Sequence, residues 1–299
     1  MNAAAQAALR SWSAPLGVDL ALCAAAVIYA RGWFRMRTAF PGLISPWRFA
    51  AYITGIIFVW IAIGSPLNAF DDALLTVHMV QHLLLMSVAP PLILLGAPQL
   101  PLLHGLPQFF ARKIVGPVLR WSLIKRVERI GGNPAFCWFA AAIALIGWHI
   151  PSAFELALRW PRLHELEHAC FLGAGLLFWW PVVQPWPSAP RWAAWSIPLY
   201  LFCATLPCDA LSAFLAFCDR VVYPSYLSAP RIFAWSPLAD QQCAAALMWV
   251  AVTIILVVPA VIVTTHILAH REEREPHELL TQLQRIASQT LESSTHDVS

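Results

Sequence analysis

Apolar residues run through this chain in seven blocks, near 16–34, 48–64, 74–96, 135–155, 164–184, 193–216 and 241–267, separated by proline-rich or charged connections. About 20 helical residues cross the hydrocarbon layer of a bilayer, so the pattern predicts seven membrane-spanning helices. The first block has the place and apolarity of a signal peptide. No small-residue cleavage site followed by a polar start comes after it, however, and it is read as a helix. The expected fold is an all-α, polytopic membrane bundle over 1–270. Beyond it, composition changes abruptly at Arg271, and 271–299 reads as a cytoplasmic tail. Leu279, Leu280, Leu283 and Ile286 there predict a short amphipathic helix.

Polar residues inside the apolar blocks change the picture most. The third block, HMVQHLLLMSVAPPLILLG from His78 to Gly96, carries His78 and His82 four residues apart, which places both imidazoles on one helical face, one turn apart. The fifth block opens with a second such pair, His164 and His168, in HELEH. One intramembrane histidine is usually satisfied by a carbonyl of a neighbouring helix. Two pairs exceed what such helix–helix hydrogen bonding needs. Pro90 and Pro91 remove backbone donors and predict a kink in the third helix.

Composition agrees with the membrane reading. Of 299 residues, 59% are hydrophobic and 12% charged, against about 25% charged in soluble domains. The fifteen tryptophans suit the interfacial belts of a membrane protein. A net charge of +3 gives no reason to expect a nucleic-acid partner. The seven cysteines are scattered without a CxxC, so neither a zinc ribbon nor a redox dithiol is indicated.

The positions of the basic residues matter more than their sum. Alternate connections carry Arg31, Arg35, Arg37 and Arg48, then Arg112, Lys113, Arg120, Lys125, Arg126 and Arg129, then Arg191, then Arg271, Arg274 and Arg285 in the tail. The opposite side has Arg10, Arg159, Arg162, Arg220 and Arg231. This bias predicts an outer N-terminus and a cytoplasmic C-terminus. Within the long 97–134 connection, residues 112–130 read as a basic surface helix on the anionic inner leaflet or as a solvated loop.

With that topology, His78 and His82 fall in the outer half of helix three. His149 lies near the outer end of helix four, and His164 and His168 in the first turns of helix five. Asp240 lies at the outer start of helix seven. Residues from four helices thus share one depth band, and histidines paired at one helical turn can present nitrogen ligands to one metal. The candidate ligands are His78, His82, His149, His164, His168 and Asp240. Asp71, seven residues before His78 and so on nearly the same helical face, and Glu167, beside His168, are nearby acids that ligate or orient. Imidazole suits copper or zinc and thioether sulfur suits Cu(I). Met86 stands one turn beyond His82, and Met79 and Met248 lie in related segments, although methionine in a membrane helix ordinarily packs.

Two other chemistries compete. His164 to His168 satisfies H-E-x-x-H, which would make the chain an intramembrane zinc protease with Glu165 as general base. A bis-histidine haem would pair His82 with His149 or His168, yet an i,i+4 pair cannot clamp both faces of one haem.

SPLN…HMVQHLLLMSVAPPLILLG, WHIPSAFELAL, LHELEHACFLGAGLLFWWPVV and the ADQQ…LMW stretch resemble the CtaG-like membrane family of cytochrome c oxidase assembly factors, from about Ser65 to Trp249. Val250–Ala251 replace the usual proline–glycine pair after Trp249. The resemblance implies a seven-helix protein of the bacterial inner membrane, an assembly factor and not an enzyme. It would help supply copper to the catalytic subunit of a haem–copper oxidase. It also carries the family's histidine motifs onto His78, His82, His149, His164 and His168, and its acidic last-helix start onto Asp240.

Overall fold

The computed structural model describes residues 15–39, 45–110, 132–185, 195–230 and 235–296, a few single positions besides, and side chains as far as 269. Every regular element among the described residues is helical. A lipid solvent explains this, because a backbone in hydrocarbon must satisfy its own polar groups. The main helices are α1 (Leu16–Ala39), α2 (Pro46–Gly64), α3 (Leu75–Leu95), α4 (Pro134–His149), α5 (Pro151–Arg159), α6 (Pro161–Val183), α7 (Ser196–Phe217) and α8 (Pro237–His296). Among the described residues, six helices are long and apolar enough to cross a membrane.

The seventh expected span, 135–155, is broken. Helices α4 and α5 meet at 72°, and counting them as one bent span makes the total seven. The cause is local. Pro151 has no amide hydrogen and crowds the residue before it, and Ile150 accordingly leaves the helical region at φ −62°, ψ 126°. The unbroken helix expected over that stretch is therefore corrected to a helix ending at His149 and a redirected one after it.

Helix α3 is central and packs against α2, α6 and α8, while α7 lies along α8 and α4 bridges α6 and α7. At the position of the expected kink, the helix widens for one turn just before Pro90–Pro91. Residues Leu84–Val88 are π-helical, the Ala89 amide donates to the Leu84 carbonyl, and the span runs on to Leu95. Gly175 of α6 rests directly on this turn. A Cβ there would stand 2.5 Å from the Met86 carbonyl oxygen and 2.7 Å from Pro90 Cγ.

After α3 the chain folds back as a short helix, Gln99–Gly105, against α1. Two glycines permit this crossing, since a Cβ on Gly32 would overlap the Pro101 carbonyl and one on Gly105 the Ile28 carbonyl. The Tyr29 hydroxyl donates to the Gly96 carbonyl at 2.7 Å, fixing the end of α3 to α1. The basic helix expected over 112–130 lies outside the described residues, single positions apart. The backbone of α8 continues unbroken through 271 to His296.

The distribution of polarity inverts that of a soluble protein. Val27, Ile57, Ile143, Phe202 and Ile254 are exposed on the outside of the bundle, whereas His78, Gln81 and Glu167 are fully buried. Apolar side chains facing lipid cost nothing, and charge belongs in the protein interior.

Candidate metal centre

The histidines meet because one end of the bundle is tied together by side chains that cap backbone groups. At the start of α3 two amides have no carbonyl partner of their own helix, as at any helix N-terminus. Asp240 of α8 takes both: its carboxylate accepts from the Leu75 amide at 2.7 Å and the Thr76 amide at 3.2 Å, and from the Thr76 hydroxyl at 2.6 Å. Gln241 accepts from the Val222 amide at 2.7 Å and donates to the Leu215 carbonyl at 3.1 Å. That holds the segment after α7 in place. From that segment the Tyr223 hydroxyl donates to the His149 carbonyl at 3.0 Å, and the Tyr226 hydroxyl to the Asp71 carbonyl at 2.7 Å. The first of these completes the helix end that Pro151 creates. Phe154 of α5 stacks on Tyr223 at 4.0 Å and lies 4.8 Å from the His78 ring, roofing the site.

Beneath this roof the rings form a compact group. Centroids of His78 and His82 are 4.3 Å apart, those of His164 and His168 4.2 Å, and His78 and His164 stack at 5.3 Å. Glu167 Oε1 lies 3.5 Å from His82 Nε2 and 3.9 Å from His78 Nε2, and Asp71 Oδ2 lies 3.7 Å from His164 Nε2. These separations are too long for hydrogen bonds. They are close to the spacing of ligand atoms that each sit about 2 Å from a shared ion. Two sets, His78–His82–Glu167 and Asp71–His78–His164, keep their ligand atoms within 4.8 Å of one another and share His78.

Both ring nitrogens of His78 and of His82, the Nε2 atoms of His164 and His168, and both carboxylate oxygens of Glu167 are buried without a hydrogen-bond partner. An orphaned buried polar atom forfeits its hydration for nothing, and native interiors hold few. Here several converge on one point, and all are metal-ligand atoms. Asp71 sits in the connection before α3. Burial, and then the neighbouring charge of Asp72, push its carboxyl up to about 7. An arriving cation would draw it toward the carboxylate.

Four of the five expected histidines, His78, His82, His164 and His168, belong to this group. His149 stands to one side, its ring 5.9 Å from that of His82. Its Nδ1 faces the Leu145 carbonyl at 2.7 Å and its Nε2 the Met79 sulfur at 3.3 Å. Asp240 does not join them, because its oxygens are engaged at the α3 N-terminus. The acids in the cluster are Glu167 and Asp71. The helical-face argument for Asp71 does not hold, since α3 begins only at Leu75 and Leu74 is extended. Asp71 reaches His164 from a turn.

The competing chemistries fit less well. Glu165, the base that H-E-x-x-H requires, is exposed and lies in neither ligand set, and the buried acid of that motif is Glu167. The cavity beside His82 and His149 measures about 70 Å³, far below the roughly 300 Å³ at which pockets begin to hold cofactor-sized molecules. A haem does not fit there.

Among curated proteins the chain aligns with an uncharacterized protein of Mycobacterium bovis, 28% identical over 240 residues, which covers 77% of this chain and 36% of that one. An uncharacterized protein of Mycobacterium leprae is 25% identical over 269 residues, covering 88% of this chain and 39% of that one. The chain thus spans less than two fifths of the length of these relatives. No solved structure matches it. Residues 27–270, which include the whole histidine cluster and the helices around it, match the family of cytochrome c oxidase caa3 assembly factors, and the chain belongs to that family.

Proposed function

We propose that this protein assists maturation of a haem–copper oxidase by holding copper in the His78–His82–His164–His168 cluster, with Glu167 and Asp71, and releasing it to the oxidase catalytic subunit. The observation that carries this reading is the set of buried, unpartnered nitrogens and oxygens on four histidines and one glutamate. Imidazole and carboxylate donors suit copper or zinc, and assembly of a cytochrome c oxidase, the family's task, favours copper. Copper here is cargo. The chain's residues bind and orient it, and no catalytic step is assigned to them. Shared use of His78 by two ligand sets supports exchangeable ligation, which release requires and a closed structural cage would prevent. The arginine bias supports an outer position for the cluster, in a bacterial inner membrane.

The test is elemental analysis of the full chain, purified in detergent after copper-replete growth, beside a His78→Ala/His82→Ala variant. Copper bound by the wild type, with at least one equivalent lost in the variant, is expected, together with loss of assembled oxidase in cells carrying the variant. Zinc held tightly in place of copper would overturn the copper reading. Binding of neither metal would leave the cluster as a docking or structural network and the copper role indirect.

A further inference from the structure

A second group of metal-ligand atoms lies beside the cluster, and its chemistry differs. His149 Nδ1 is 2.7 Å from the Leu145 carbonyl oxygen. A carbonyl only accepts, so Nδ1 carries the hydrogen, and in the neutral ring the lone pair is on Nε2. That nitrogen faces the Met79 sulfur at 3.3 Å. A thioether has no hydrogen to give. Two electron-pair donors therefore point at each other in a place where Met79 is fully buried and His149 nearly so. An imidazolium would resolve the contact by donating to sulfur. Among the described residues, however, no carboxylate lies within ion-pair distance of His149 to support that charge.

This pair opens on the cavity of about 70 Å³, whose lining also includes Met86, Cys208, Met248 and His82. Cys208 and Met248 are each 3% exposed. Three of the protein's five methionines, from α3 and α8, thus face one small space with a thiol from α7 and an imidazole from α4. Methionine and cysteine ordinarily pack. The opposed nitrogen and sulfur lone pairs set this site apart from packing. A space of this size accepts an ion together with a few waters, so selection rests on the donor atoms. Thioether and thiolate select Cu(I) over harder ions, and a single charge costs less than a double one to bury among apolar walls.

We propose that this cavity is a second metal site, selective for Cu(I), in which His149 Nε2 and Met79 Sδ are the primary ligands and Met86, Cys208 and Met248 supply further sulfur. His82 borders both sites, its ring 4.3 Å from His78 and 5.9 Å from His149. It is the point at which an ion passes between them. The ion arrives as Cu(I) and no electron transfer is involved. Supply from the cluster rests on the copper reading above, but binding of Cu(I) in the cavity does not.

The experiment loads the detergent-purified full chain with Cu(I) anaerobically and reads stoichiometry and X-ray absorption at the copper edge. The wild type is expected to show a sulfur shell beside nitrogen and oxygen scattering. Met79→Leu/Met248→Leu, which nearly conserves volume, is expected to lose one copper equivalent and the sulfur shell. His78→Ala/His164→Ala is expected to lose the nitrogen- and oxygen-bound copper and keep the sulfur-bound ion. A wild-type spectrum with nitrogen and oxygen neighbours alone overturns the cavity site and leaves the cluster reading standing. That reading needs no variant to fold. Sulfur-bound copper with no copper in the cluster supports the cavity and overturns the delivery reading instead. No copper in any form overturns both.

Discussion

Asp240 and Leu75, far apart in the chain, are joined by a 2.7 Å hydrogen bond from the Leu75 amide to the Asp240 carboxylate. The bond makes the first turn of α8 the cap of α3. It sets where α3 begins and so the height and rotation at which His78 and His82 stand. The same carboxylate takes the Thr76 amide and hydroxyl, so both of its oxygens are engaged at the start of α3.

Asp240 is therefore expected to act on stability more than on the identity of the site. Removing a capping carboxylate costs about 1–2 kcal/mol, and Asp240→Ala is expected to lower the thermal unfolding midpoint measured in detergent. Copper bound per chain should survive, since the cluster ligands are untouched. Stoichiometric loss of copper at unchanged thermal stability would make Asp240 a ligand after all.

The two glutamates of HELEH are expected to behave oppositely. Glu167 is fully buried, with its Oε1 facing both His78 and His82, whereas Glu165 is exposed. Removing a carboxylate that ligates or orients at a metal site typically costs about 10–100-fold in affinity. Glu167→Gln should weaken copper binding by that order in competition with a chromophoric chelator, and Glu165→Gln should leave it unchanged. The reverse pattern would restore the zinc-protease reading, in which Glu165 is the base.

Much of the architecture was legible because its determinants are local. A run of apolar residues of the right length makes a span whatever surrounds it, and histidines four apart share a helical face wherever the helix lies. The break at Ile150–Pro151 was equally local, but it sits inside a continuous apolar run, and the hydrophobic pattern hides it. Asp71 and Glu167 could be named as candidate acids from their positions, but not chosen over Glu165 and Asp240. Glu165 and Glu167 flank the same histidines in sequence, and only the rotation of α6 against α3 decides which one is buried. Asp71 does not share a face with His78, because the helix that carries His78 starts only at Leu75. The distinct surroundings of His149 depend on the α4–α5 bend and on Met79 of another helix, neither of which spacing encodes.

Gly175 carries a further expectation about how α6 brings His164 and His168 to α3. A Cβ at this position would meet the Met86 carbonyl oxygen at 2.5 Å and Met86 Cα at 2.9 Å. Those are backbone atoms and cannot swing aside. Overpacking of this kind costs about 1–3 kcal/mol, so Gly175→Ala should lower thermal stability and separate α6 from α3. Copper affinity should fall with it although no ligand is changed. Gly173→Ala is the control, because a Cβ there meets nothing within 4 Å. Equal behaviour of the two variants would mean that the α3–α6 approach is looser than this geometry requires.

The arginine bias predicts the side of the membrane that the cluster faces. Arg31, Arg35, Arg37 and Arg48 flank the α1–α2 connection, and Arg159 and Arg162 flank the α5–α6 junction at the cluster end. Basic residues are retained on the cytoplasmic side, and the denser group lies at the end opposite the histidines. Alkaline phosphatase fused after Arg159 should therefore be active, because it folds only outside the cytoplasm, and a fusion after Arg37 should be inactive. This outcome fits a cluster that receives copper from the outer compartment. It also means that the ion never has to cross the cytoplasm, where thiols would compete for it. The opposite pattern would place the histidines within reach of cytoplasmic copper carriers, and the route of supply, though not the ligand set, would have to be redrawn.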